Sequence, residues 1–128
     1  GSLNGVFYTD TNTSKPTFAN HLLAANGASD ITALVNDSPL QQYEVRSNNA
    51  GASAQADVGA TADIAYTAGD TSNFVSRCTL NDATINVAVQ QLKIIGVSRD
   101  PENNDLTAAN VVWRVIVNQS AFDDTSGV

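Results

Sequence analysis

Thirteen carboxylates, six basic side chains, three tyrosines, one histidine and one cysteine are the titratable side chains available, and their spacing limits the chemistry this chain can attempt. The densest group is Asp100-Pro101-Glu102-Asn103-Asn104-Asp105, with three carboxylates and two amides in six residues. Hard cations take oxygen ligands, so Asp100, Glu102 and Asp105 are the candidate Ca²⁺ ligands. The segment lacks the turn glycine and distal glutamate of an EF-hand, and a solvated hairpin tip calls for the same composition. His21 has no second histidine to work with, which excludes metal sites built on paired imidazoles; it reads as a polar rim residue. No Gly-x-Ser-x-Gly elbow and no local Cys-His pairing surrounds a nucleophile. Thirteen carboxylates can always meet as an acid and base pair in space, as glycosidases require, but the sequence nominates no pair. The expectation is therefore a protein that is not an enzyme, with no catalytic residue and no cofactor.

Cys78 is alone, so no intrachain disulfide forms. Its setting, Val75-Ser76-Arg77-Cys78-Thr79-Leu80, reads as a strand, which predicts a buried, inert thiol. Tyr8, Tyr43 and Tyr66 each fall on a strand candidate. Their rings could form a platform for sugar, but the core is the expected place for most of them.

The elements that position these residues follow from periodicity. In residues 111–118 Val111, Trp113, Val115 and Val117 share one face against Val112, Arg114, Ile116 and Asn118, the period-two signature of a strand. Upstream, Ile85, Val87 and Val89 alternate likewise, then the phase slips at Gln90-Gln91 as a bulge would produce before Leu92 and Ile94 continue. Residues 85–119 thus read as one long β-hairpin with an acidic tip. Other strands are predicted at 5–9, 17–22, 31–35, 40–46, 63–67 and 74–80, with 81–84 as a linker. The run 47–53 reads as a loop or mobile excursion, and 54–60 as one helical turn. Turn clusters recur every 10 to 14 residues. The predicted fold class is all-β: an antiparallel β-sandwich or β-barrel with short loops and at most one helical turn.

A chain of 128 residues suits a single β-domain, placed at 1–120, followed by an acidic tail at 121–128. Only eight aromatic residues occur, so each is expected to anchor packing at about 1.5 to 3 kcal/mol if buried, with Trp113 the largest anchor. The net charge is −7 and the six basic residues are scattered singly, which disfavours a nucleic-acid partner. No run approaches the roughly 18 apolar residues of a membrane span, and no membrane partner is expected. The absence of Met predicts a processed, truncated or partly represented chain.

Several stretches carry a family likeness. Asp57-Val58-Gly59 through Asp63, the Gly69 turn, residues 92–103 (LKIIGVSRDPEN) and the closing Val115-Ile116-Val117-Asn118 resemble a group of small virion structural proteins of tailed bacteriophages. Those proteins show a "DVG-N-AD" stretch, a "LKI-G-RPDNE" hairpin and a "V-INEH" strand. Asn4-Gly5-Val6-Phe7-Tyr8 and Asn36-Asp37-Ser38-Pro39 to Val45 fit the same pattern. The chain departs from it after Asn118, where Gln119-Ser120-Ala121-Phe122 replaces the usual "EHQ-L" ending.

The resemblance implies a β-rich, non-enzymatic structural protein of the phage head surface, a capsid decoration or cement protein. Its partners would be the major capsid protein and copies of itself. Such a role calls for termini or edge strands that add to neighbouring chains. Val6 and Phe7 at one end, and Phe122, Asp123 and Asp124 at the other, are the candidate interaction arms. The alternative from another class is a carbohydrate-binding β-sandwich displayed on a virion or cell surface, suggested by the Asn, Thr and Tyr content.

Overall fold

Two antiparallel sheets account for all the strands, one within residues 1–37 and one after residue 38, and the chain divides into two compact units at this point. The computed structural model describes residues 1–120. Every strand pairing between neighbours is antiparallel, so the all-β expectation holds. Among the described residues, helical structure is confined to three single 3-10 turns, Ala24–Asn26, Gln55–Asp57 and Pro101–Asn103. The second of these lies in the one helical turn foreseen at 54–60.

The first unit holds β1 (Ser2–Asp10), β2 (Lys15–Ala19) and β3 (Thr32–Asn36) in the order β2-β1-β3. The β1–β2 turn forms because the Asp10 side chain accepts the Asn12 N–H at 2.8 Å while its carbonyl accepts the Ser14 N–H at 2.7 Å. Asp30 anchors the entry to β3. Its carboxylate accepts the Thr9 N–H at 3.0 Å and the Thr9 hydroxyl at 2.6 Å, tying the end of β1 to the start of β3. These bonds hold both carboxyls below the usual aspartate range, through the Asn12 N–H for Asp10 and the Thr9 hydroxyl for Asp30. Because β1 pairs on both sides, it is no free arm. Val6, proposed as an arm residue, is buried in the central strand, and both edges of that strand are already occupied.

The second unit holds β4 (Gln42–Arg46), β5 (Thr61–Ala65), β6 (Thr79–Asn86), β7 (Leu92–Val97) and β8 (Val112–Val117) in the order β4-β8-β7-β5-β6. Its two end strands meet through a parallel bridge between Ser47 and Leu80, with the Asn48 N–H donating to the Leu80 carbonyl at 2.9 Å. The sheet therefore curls on itself as a small barrel. Inside it Trp113, Leu80, Ile94, Val115, Ala62, Leu92 and Val111 form one buried cluster, with Tyr43, Val45 and Leu106 packed against it. Trp113 is the largest fully buried side chain, as the alternation in β8 requires.

The long hairpin is shorter than the alternation suggests. β7 and β8 pair from Leu92↔Val117 to Val97↔Trp113, and the bulge lies between Ile94 and Gly96, not at Gln90-Gln91. Ile85 belongs to β6, which pairs with β5. Val87 and Val89 lie outside any strand, with 99% and 76% of their surface exposed. The cause is local: the Asn86 side chain accepts the Ala88 N–H at 2.6 Å and turns the chain out of the sheet.

The strand foreseen at 74–80 is also displaced. Asp70 organises a loop by accepting the Ser72 N–H, and Phe74 adopts a φ of +57°, so extended structure begins only at Thr79. Cys78 is consequently exposed and not buried. Residues 81–84, expected to be a linker, lie within β6.

Candidate functional site

Ser47 and Asp82 are the least obvious residues to find buried, and they organise one end of the barrel. The Ser47 hydroxyl donates to Asp82 Oδ2, while Asp82 Oδ1 accepts the Gly51 N–H at 2.9 Å. Ser47 Oγ in turn accepts the Asn49 N–H at 2.9 Å. Asn48 Oδ1 accepts from the Ala50 N–H at 3.1 Å and the Asp82 N–H at 3.3 Å. One step outward, Asn49 and Asn110 exchange amide bonds, Asn49 Nδ2 donating to Asn110 Oδ1 and Asn110 N–H donating to Asn49 Oδ1. Both asparagines have φ near +60°, which their short amide side chains tolerate.

Of the two alternatives the sequence left for 47–53, the structure shows the loop, tied down by hydrogen bonds, and not a mobile excursion. Beside it lies a cleft of about 310 Å³ lined by Asn49, Gly51, Ser53, Asp82, Leu106 and Thr107. Both Asp82 oxygens are already engaged, so the carboxylate acts as a structural acceptor rather than a free base.

The acidic segment at 100–105 folds back on itself. Asp100 caps the Pro101–Asn103 turn by accepting the Glu102 N–H at 3.0 Å. Asp105 accepts the Thr107 hydroxyl at 2.7 Å and the Thr107 N–H at 2.9 Å, the hydroxyl bond being the main cause of its lowered pKa. Asn103 is the residue that fastens the loop. Its Nδ2 donates to the Val112 carbonyl at 2.9 Å and its Oδ1 accepts the Val112 N–H at 2.9 Å, closing the ladder above β8. Among the described residues no group of three or more His, Cys, Asp or Glu side chains is placed to hold a metal ion. No helix there is long and apolar enough to cross a membrane.

Phe7 is the predicted site residue that the fold leaves available. It stands directly opposite Phe18 on β2 and Thr32 on β3, while Gly5, two residues away, stands opposite Leu34. Directly paired residues share a face of the sheet, so Phe7, Phe18 and Leu34 form one apolar patch across all three strands. Their exposures are 49%, 55% and 43%, whereas Val6 on the opposite face is only 4% exposed. The two rings pack with centroids 4.6 Å apart at 40°. Gly5 is required for this arrangement: a Cβ there would lie 2.3 Å from the Phe18 ring.

Of the other predicted residues, Trp113 is an interior anchor with no access to a partner. Phe122, Asp123 and Asp124 lie outside the described residues. Tyr66 is exposed and Tyr43 lies partly under solvent against the core. Ser47, Asp82, Asn49, Asn110 and Phe18 were not singled out from the sequence. Only Phe18 left a signal there, as the aromatic residue on the strand predicted to pair with Phe7.

No protein-family model matches the chain, and no curated protein or solved structure matches it significantly.

Proposed function

We propose that this chain is a non-enzymatic attachment protein that docks on a larger protein assembly through the aromatic face of its three-stranded sheet. The observation that carries this reading is the half-exposed Phe7–Phe18 pair with Leu34 beside it, set on a sheet whose other face buries Val6. A flat, uncharged aromatic patch of this kind supplies binding energy by burial, because rings of low conformational entropy are held in place before the partner arrives. The particular assembly is the head of a tailed phage. The strand and turn motifs at 4–8, 36–45, 57–63, 92–103 and 115–118 support a capsid decoration protein seated on the major capsid protein at the virion surface. The engagement of Asp82 by Ser47 and Gly51 supports the non-enzymatic part of the reading.

The test is co-sedimentation of the full chain with expanded heads of the phage that encodes it, prepared without this protein. Wild type should bind saturably. Phe7→Ala/Phe18→Ala should fold normally and lose binding by about tenfold or more. Gly5→Ala, which displaces the Phe18 ring without deleting it, should weaken binding in the same direction. Undiminished binding by the double variant would exclude the aromatic face. The polar cleft beside Asn49 and Ser53, together with the exposed Tyr66 ring, favours a carbohydrate-binding role as the second reading. Saturable binding to a glycan array without head binding would establish that reading instead.

A further inference from the structure

Half of the six basic residues lie on one outer wall of the barrel, and the sheet register sets them in a line. Arg114 on β8 stands between Glu44 on β4 and Gly96 on β7. Two positions along β4, Arg46 opposes Val112; two positions along β8 the other way, Ile116 opposes Lys93. Diagonal neighbours in a sheet lie about 7–8 Å apart. Arg46, Arg114 and Lys93 therefore form a diagonal stripe across three strands, on the face opposite to the buried Trp113 and Val115.

The stripe is unpaired among the described residues. Arg46, Lys93 and Arg114 make no hydrogen bond or ion pair there, although Glu44 stands opposite Arg114. Arg114 Nε is shielded from solvent and has no acceptor, a costly state for a charged donor. The guanidinium lies close over Gly96, where a Cβ would come within 3.0 Å of Nη2. The chain thus holds a flattened, partly desolvated arginine between two exposed cations. Three cations on a protein of net charge −7 are too few to grip a nucleic-acid backbone, but they suit a small group of carboxylates.

That group is present on the same unit. The β7–β8 tip carries Asp100, Glu102 and Asp105 with Arg99, all exposed. Three anions and one cation face solvent there, and three cations and one anion, Glu44, line the stripe. Asp100 Oδ1 and Asp105 Oδ1 hold the loop in shape through the Glu102 and Thr107 N–H groups, and each carboxylate keeps a second oxygen for an incoming donor. We propose that the Arg46–Arg114–Lys93 stripe of one copy receives the 99–105 loop of a second copy. The two patches differ and lie on the same unit, so two copies can exchange the contact reciprocally about a two-fold axis or pass it head-to-tail into rings or chains. It does not rest on the aromatic face, which lies on the other unit.

Sedimentation velocity of the full chain, over a concentration series at about 0.02 M and about 0.5 M salt, tests the contact. Wild type should self-associate and do so more strongly at the lower salt. Arg46→Glu/Lys93→Glu changes only exposed positions, so folding should be retained while association weakens by about tenfold or more. Glu102→Lys, whose side chain takes no part in holding the loop, should weaken it in the same direction. A mixture of these two variants should associate, because each then offers the charge its partner needs. A monomer at every concentration, wild-type association by either variant, association indifferent to salt, or failure of the mixture to associate would each overturn the proposal.

Discussion

The two units solve the same problem with unequal means. The barrel of the second unit closes around Trp113, Leu80, Ile94 and Val115, all fully buried, and seals one end with the Ser47–Asp82 hydrogen bonds. In the three-stranded sheet of the first unit, Val6 is the only buried hydrophobic side chain among the described residues, and its largest rings are half in solvent. The barrel buries its apolar residues, whereas the sheet leaves Phe7, Phe18 and Leu34 exposed. Hydrogen bonds compensate for part of the missing core, with Asp10 and Asp30 each fixing a junction of the sheet.

The comparison breaks most sharply at Trp113. Trp113→Ala should destabilise the second unit by about 3 to 5 kcal/mol in chemical denaturation, since a fully buried ring leaves a large cavity. A loss below about 1 kcal/mol would mean that the barrel does not depend on its core. Asp82→Ala should follow at about 2 to 4 kcal/mol, because it leaves the Ser47 hydroxyl and the Gly51 N–H without an acceptor. Val6→Ala should cost about 1 to 2.5 kcal/mol and be confined to residues 1–37 by amide chemical shifts, leaving Trp113 fluorescence unchanged.

Acid gives the mildest perturbation. The folded pKa values of Asp10 and Asp30 lie below the ordinary 3.8, so their contribution is complete above that value and is lost as pH falls through the lower folded values. The Thr9 and Asn12 amides should therefore shift during titration downward from pH 4, as should the Ser72 and Thr107 amides on the loop aspartates Asp70 and Asp105, all before Trp113 fluorescence does. Simultaneous change in these amides and in Trp113 would mean that the barrel core gives way with the aspartate-held turns.

The strands of the two units were not equally legible. β8 declares itself because one face is wholly apolar, Val111, Trp113, Val115 and Val117, while the other carries Arg114 and Asn118, so only the first can go inside. The β1–β2 hairpin is legible for its β-formers and turn cluster. Period two does not tell which face another layer will cover, so the exposure of Phe7 and Phe18 could not be read from it. β6 was hidden because Asn81-Asp82-Ala83-Thr84 has the composition of a turn. It is a strand because Ser47, Asn48 and Gly51, more than 30 residues away in sequence, supply the hydrogen bonds that make Asp82 tolerable inside. Val87 and Val89 misled in the opposite direction: their alternation was sound, but a local Asn86 bond took the chain out of the sheet. Cys78 followed the displaced strand into solvent.

The barrel's seam has a kinetic consequence. Along the rest of the wall the strands are joined by more than one backbone pair, but the seam between the ends of the sheet has a single backbone bridge, Ser47–Leu80, backed by the bonds of Ser47, Asn48 and Gly51 to Asp82. Backbone pairing is sparsest on this line, so once the Asp82 bonds let go the wall can unzip there while the β7–β8 pairing stays shut. In hydrogen–deuterium exchange the Asn48 amide should then lose its proton through brief local openings, long before the amides of Ile94 and Val115, which are released only when the whole barrel comes apart.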